Sequence, residues 1–354
     1  MVLGVGLLFS FFATSPYVAD IPRYQFVRNF DSRAHLSPQG VVDLKINSFY
    51  VAGSTKHTLY LGNWTGPFHL LQVNLMTLDT THTNLSVPGL KIPDDYRLFR
   101  LKVDSPYFYL SHGTMPGIFQ GTLNDRKAVK FSKGNTPYFV DAVPVSPRLM
   151  ALTSLNLESK SNELAALTTD SPFFQFKSDL LEKQIDGFFC VDGMLHFDRE
   201  LNRLIYLYCY RNEYLVMDTS LNLINRFHTI DTFKTAAIKV AEVKSKNYKT
   251  LASPPAKINF KSCVSGKFLF VQSTLLAKNE DKVEFQKSPP IDVYDFWVGQ
   301  YLYSFHLRDY AGERPSSFTV SDNRVSVIYK DKLVVYQLTT PKNSSEIVAA
   351  SPQF

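Results

Sequence analysis

Apolar residues in this chain fall in short runs of β-branched and aromatic residues broken by turn formers, a strand pattern rather than a helical one. Six segments repeat one design: an apolar residue, a few turn formers, then an alternating aromatic or aliphatic strand. They are VAGSTKHTLYL (51–61), VDSPYFYL (103–110), VSPRLMAL (145–152), FDRELNRLIYLY (197–208), VSGKFLFV (264–271) and VSDNRVSVIY (320–329). Gly, Ser, Asp and Pro supply the turns. The segments recur at intervals of roughly 40 to 65 residues, the range of propeller blades with variable loops.

Two further strands follow each of the first five hairpins, for example HLLQVNLM and HTNLSV after the first, and IDVYDFW and YLYSFHL after the fifth. The fifth set carries a charged insertion, AKNEDKVEFQKSPP. The sixth has only three strands, ending at KLVVYQL, Leu338. An unpartnered strand, VVDLKI (41–46), precedes the first hairpin. Donated to the last blade, it would close the ring and remove an open sheet edge. The expected architecture is all-β: a six-bladed β-propeller of four-stranded antiparallel blades over 41–338, closed by that N-terminal strand. Residues 21–40 read as a linker and 339–354 as a disordered tail. SDLLEKQIDG (178–187) reads as a short helix with Ser178 as N-cap and Gly187 as C-cap. KTAAIKVAEVK (234–244) leans towards strand.

Composition agrees with strands: aromatics form 14% of the 354 residues, a bias that suits a pleated surface. The formal net charge of +6 is spread without a Lys/Arg run, which argues against nucleic acid as a partner. The three cysteines, Cys190, Cys209 and Cys263, sit in apolar surroundings without metal spacing and read as buried thiols. The apolar run Val2–Ala13 has the length of a signal-peptide core and is short for a membrane span. No Lys or Arg precedes Arg23, so residues 1–20 are expected to be a truncated signal peptide or membrane anchor.

The stretches LYLGNWTGPFHLL, VDSPYFYLSHGTMPGIF, DGFFCVDGMLHFD, SGKFLFVQSTLLAKNEDK, IDVYDFWVGQYLYSFHL and DKLVVYQL carry a resemblance that covers most of 41–338. The chain resembles six-bladed propellers of the TolB-like kind and, more closely, envelope propellers of Gram-negative bacteria. The resemblance implies the fold and a periplasmic or envelope address, and it implies no activity.

Candidate site residues come from two patterns. The loops between strands 2 and 3 of the first two blades are alike, GNWTGPFHL and HGTMPGIF, and offer Asn63, Trp64, Thr65, His69, His112 and Thr114 as a binding surface, joined by Tyr210, Arg211 and Asn212 from the fourth blade. The residue opening strand 2 is Lys56 or His57, then Tyr107, Arg148, Arg203, Lys267 and Arg324, so five blades of six place a cation there. On a closed ring Lys56, Arg148, Arg203, Lys267 and Arg324 would form a basic collar that attracts anions.

Catalytic patterns are sparse. Asp292 and Asp295 stand three apart, which on a strand sends them to opposite faces. Asp198 and Glu200 share a side if extended, but lie in a turn where acids are ordinary. No His pair has metal spacing and no nucleophile elbow or phosphate-binding glycine loop occurs. The sequence therefore points to an exported, non-catalytic propeller that binds a protein or small molecule, without cofactor or metal. It is tethered to the membrane if the N-terminal segment is kept. The alternative is a propeller hydrolase or lactonase with an axial metal, because a propeller can assemble such a site from blades far apart in sequence.

Overall fold

A computed structural model describes residues 22–91, 94–112, 117–236, 238–243, 248–251 and 257–340. Six four-stranded antiparallel sheets stand around a common axis. Their innermost strands are Phe49–Ser54, Phe99–Asp104, Phe139–Ser146, Gly193–Asp198, Asn259–Ser265 and Ser317–Ser321, heading blades 1 to 6. Each of these six strands touches the next, and the sixth touches the first, so the ring is complete.

The continuous apolar runs of the second strands have a simple cause. Successive side chains point to opposite faces, and in a ring of blades both faces are buried. Tyr60 packs into the seam with blade 2, while Leu59 and Leu61 pack into the seam with blade 6. Leu204 and Tyr206 likewise face blade 3, and Ile205 and Leu207 face blade 5. Among the described residues the core is therefore six inter-blade clusters and a seventh where Phe26 packs on Ile258, Leu275 and Ala277, rather than one. Outer strands face water and lose the apolar pattern: five of the six residues of Leu223–His228 are exposed.

Blade 6 takes its fourth strand from the N-terminal side. His35–Asp43 pairs antiparallel with Lys332–Thr339, with Val41 opposite Val334 and Asp43 opposite Lys332. This strand starts and ends earlier than the expected 41–46. Lys45, at φ 67°, turns the chain away after Leu44. The expected linker at 21–40 is also corrected. Residues 35–40 belong to the strand, and 22–34 pack against blade 5, where Arg23 bridges to Leu276 and Phe30 to Ser304. The expected tail overlaps the last strand, which runs to Thr339; residues 341–354 and 1–21 lie outside the described residues.

The expected helix at 178–187 is a series of turns. Its two cap signals serve other purposes: Ser178 Oγ donates to Glu163 Oε2 (3.0 Å), and a methyl group on Gly187 would stand 2.3 Å from Ser161 Cβ. The α-helix among the described residues is Lys282–Lys287 in the charged insertion, where the Asp281 side chain accepts from the Val283 and Glu284 amides. No helix among the described residues is long and apolar enough to cross a membrane. Val240–Val243 is a strand, paired with Tyr248–Leu251 outside the six blades. All three cysteines are free and buried.

Candidate functional site

Antiparallel order puts the 1–2 turns of all six blades at one end of the axis and the 2–3 loops at the other. A cavity of about 540 Å³ opens at the 1–2 end, lined by the inner strand or its turn from every blade. The inner strands pair with a partner on one side only, so their other backbone edges face this space. They approach closely: a methyl group on Gly53 would lie 2.1 Å from the Val103 carbonyl oxygen, which is why glycine stands there.

Around the cavity the seams between blades alternate in character. Three are apolar, with Ala52 and Val103, Val143 and Leu195, and Cys263 and Val320 packed in the same clusters. The other three are polar. Lys102 pairs with Asp141 at 2.6 Å, His196 shares a hydrogen bond with Ser262 at 2.7 Å, and Lys56 faces Asp322 at 3.5 Å. At the rim Arg199 of blade 4 reaches past blade 3 to Asp104 of blade 2. Its Nε donates to Oδ1 at 2.9 Å and its Nη2 contacts Oδ2. Two non-adjacent blades are thus joined across the mouth.

Protonation states follow from these surroundings. Burial pushes the His196 imidazole down to about 4, so it is neutral near pH 7. Burial and the neighbouring Glu200 raise the Asp198 carboxyl above its ordinary value, although its Oδ1 accepts the Leu201 amide at 2.8 Å. Burial also pushes the Cys263 thiol up to about 12, leaving it an un-ionised wall of the cavity.

The residues expected from the 2–3 loops lie at the opposite end and mostly serve the fold. Asn63 Oδ1 accepts from the Thr65 amide and hydroxyl and the Gly66 amide, closing the turn. Trp64 is half exposed between Tyr50, at 4.4 Å between centroids, and the Arg100 guanidinium, at 4.0 Å. His112 is fully buried against Phe99, with Nε2 3.2 Å from the Asp95 carbonyl oxygen. Thr114 lies outside the described residues. Tyr210, Arg211 and Asn212 are buried; Arg211 stacks on Tyr208 at 3.7 Å and donates to the Glu182 carbonyl. His69 meets His82 at 2.9 Å on the two outer strands of blade 1, a contact their sequence spacing does not reveal.

Of the basic collar, Lys56 lines the cavity. The other four open second strands, one strand away from the axis, and turn outward. Lys267 pairs with Asp295 (2.7 Å), Arg148 with Asp170 (3.6 Å), Arg203 covers Trp297 and Arg324 contacts Met76. The cations at the mouth are Lys56, Lys102 and Arg199. Asp104, His196 and Arg199 were missed, since only the ring brings them together. Asp198 and Glu200 were visible as same-side acids in a turn. Among the described residues no three His, Cys, Asp or Glu side chains group as a metal site.

No protein-family model matches the chain, and no curated protein does. Among solved structures, it is similar to a member of the DUF4221 family from Bacteroides vulgatus, with TM-score 0.54 and 12% identity over 86% of this chain and 98% of that one. It is also similar to a structural-genomics protein of unknown function from Bacteroides thetaiotaomicron (TM-score 0.49, 8% identity, 88% and 73% covered) and to virginiamycin B lyase from Staphylococcus aureus (0.48, 12%, 86% and 100%). At these identities the likeness is one of fold: an all-β, six-bladed propeller.

Proposed function

We propose that this chain is a binding propeller whose ligand enters the axial mouth at the 1–2 turns, without being chemically transformed. One observation carries the reading. The cavity of about 540 Å³ has the size of a small-molecule site and combines apolar seams with a few fixed polar groups. The polar groups support binding more than catalysis. Lys102 and Arg199 are each engaged with an acid, and His196, though within hydrogen-bond distance of the Ser262 hydroxyl, titrates at about 4 and is a weak base for activating it. The address forms part of the proposal. It is the cell envelope, supported by the apolar run Val2–Ala13 in the sequence.

The test is a thermal-shift screen of small polar compounds against the native chain and a Ser54→Trp variant. Ser54 is an exposed lining residue, so tryptophan would fill the mouth without entering the core. Compounds that raise the melting temperature of the native chain and not of the variant support the reading. Turnover of an ester or lactone panel by the native chain, lost in Ser54→Trp, would overturn it in favour of a hydrolase. Recovery of the chain with the cytoplasmic fraction of its own cells would refute the address.

A further inference from the structure

The charges at the mouth are not evenly satisfied. Each of its three cations already has an acid: Lys56 has Asp322, Lys102 has Asp141, and Arg199 has Asp104 through two contacts. Two carboxylates remain, Asp198 and Glu200, both from the blade 4 turn. Among the described residues neither meets a cation at salt-bridge distance. The acids face the blade 5 turn, where Glu200 Oε2 lies 3.5 Å from the place a methyl group on Gly266 would occupy. So a chain of formal net charge +6 presents an acid surplus at this axial cavity.

Asp198 is buried, and burial together with an adjacent acid disfavours its charge. An incoming cation would relieve that penalty, and the relief appears as affinity. A second, independent feature points the same way. Ser321, more than nine-tenths buried, lines the same cavity with its hydroxyl unpartnered, a group able to accept from a ligand N–H. An anion would meet only cations already in ion pairs and would have to break one, whereas a cation would break none.

We propose that the mouth recognises an amine or guanidinium carried on a short aliphatic stem, with Asp198 and Glu200 holding the cation and the apolar seams holding the stem. This rests on the reading of the mouth as a binding site and names the class of its ligand. A cation on hydrocarbon matches a cavity whose walls alternate between polar and apolar seams.

The experiment is isothermal titration of the full chain with agmatine and cadaverine, against glutarate as the anionic and glucose as the uncharged control. Agmatine or cadaverine should bind, and Glu200→Gln should weaken that binding about tenfold, with Asp198→Asn doing the same if it folds. Glu200 is exposed, so its variant keeps the test decisive should Asp198→Asn fail to fold. Binding should persist in Arg199→Ala. If glutarate binds instead, and Arg199→Ala or Ser54→Trp abolishes it, the mouth remains a site and the amine proposal falls. If glucose alone binds and Ser54→Trp abolishes it, the outcome is the same. If no probe binds, the amine proposal falls; the reading of the mouth falls too only if the wider screen returns nothing.

Discussion

The two ends of the axis are made from the same six blades, yet among the described residues one opens on a cavity and the other is packed. At the open end the connections are short turns such as 105–106 and 322–323, too short to fold over the axis. The inner strands are left facing a cavity whose charged groups touch water. At the other end some connections are long, 178–192 and 274–289 among them. They bring enough side chains to bury polar groups completely, and the N-terminal segment 22–34 is laid over the last of them. Arg28 is the clearest case. Its guanidinium has no exposed surface, its Nε and Nη2 donate to Asp292 at 2.8 and 3.1 Å, and Nη1 contacts Glu280 and the Leu275 carbonyl. Burial works against its charge, but Asp292 and Glu280 more than offset this and hold its pKa above the ordinary arginine value. The buried polar residues at the packed end therefore serve the fold, whereas at the open end Asp198 and Glu200 line a cavity without a cation at salt-bridge distance among the described residues.

The largest expected effect is at the packed end. Arg28→Ala leaves Asp292 and Glu280 as buried acids without a cation, and breaking such a group destabilises by about 3–5 kcal/mol. Denaturant unfolding measures it. The molecules that remain folded should bind at the mouth as the native chain does. A loss below about 1 kcal/mol, the range of exposed pairs, would mean that the two ends are not built differently.

His196 gives the next effect, and it appears with pH. In the fold the imidazole titrates at about 4, while in the unfolded chain it titrates near the ordinary value of about 6.5. As pH falls below about 6.5 the unfolded chain takes up the proton first, so stability is lost between about pH 6.5 and 4. Because the ring faces a water-accessible channel, the loss should be on the order of 1–2 kcal/mol. His196→Gln should flatten this part of the stability profile while retaining a side chain able to bond Ser262 Oγ. An unchanged profile would show that the channel hydrates the ring fully.

The contrast between the ends also explains what the sequence revealed. A blade hairpin is local: VDSPYFYL shows its turn and both strands within a few residues, so its pattern suffices. Ring closure was legible by counting, because a sixth blade with three strands requires a donor. The site was not legible, since Asp104, Asp198 and Asp322 converge only through the ring and nothing in their spacing records it. The collar shows a related error. Lys267 and Arg324 stand at the end of the 1–2 turns, but on the second strand, from which Lys267 reaches Asp295 rather than the axis. Ser178 and Gly187 read as helix caps, yet the first binds Glu163 and the second makes room for Ser161. Cap residues are ambiguous whenever a tertiary contact makes the same demand.

The smallest effect on stability is expected at the pair that joins two blades across the mouth. Arg199 and Asp104 make two contacts, but the arginine side chain is 54% exposed, and exposed pairs contribute about 0–1 kcal/mol after side-chain entropy and water are counted. A double-mutant cycle with Asp104→Asn and Arg199→Ala should therefore return a coupling below about 1 kcal/mol, falling further in high salt. The geometry gives the pair more influence on access than on stability: with either partner removed, the link from blade 4 to blade 2 is gone and the mouth widens. Ligand association through the mouth should then quicken in Asp104→Asn while its melting temperature barely changes. A coupling of about 3 kcal/mol, the scale of a buried pair, would make the open end as tightly locked as the packed one, and ligand entry would then require breaking structure rather than passing beside it.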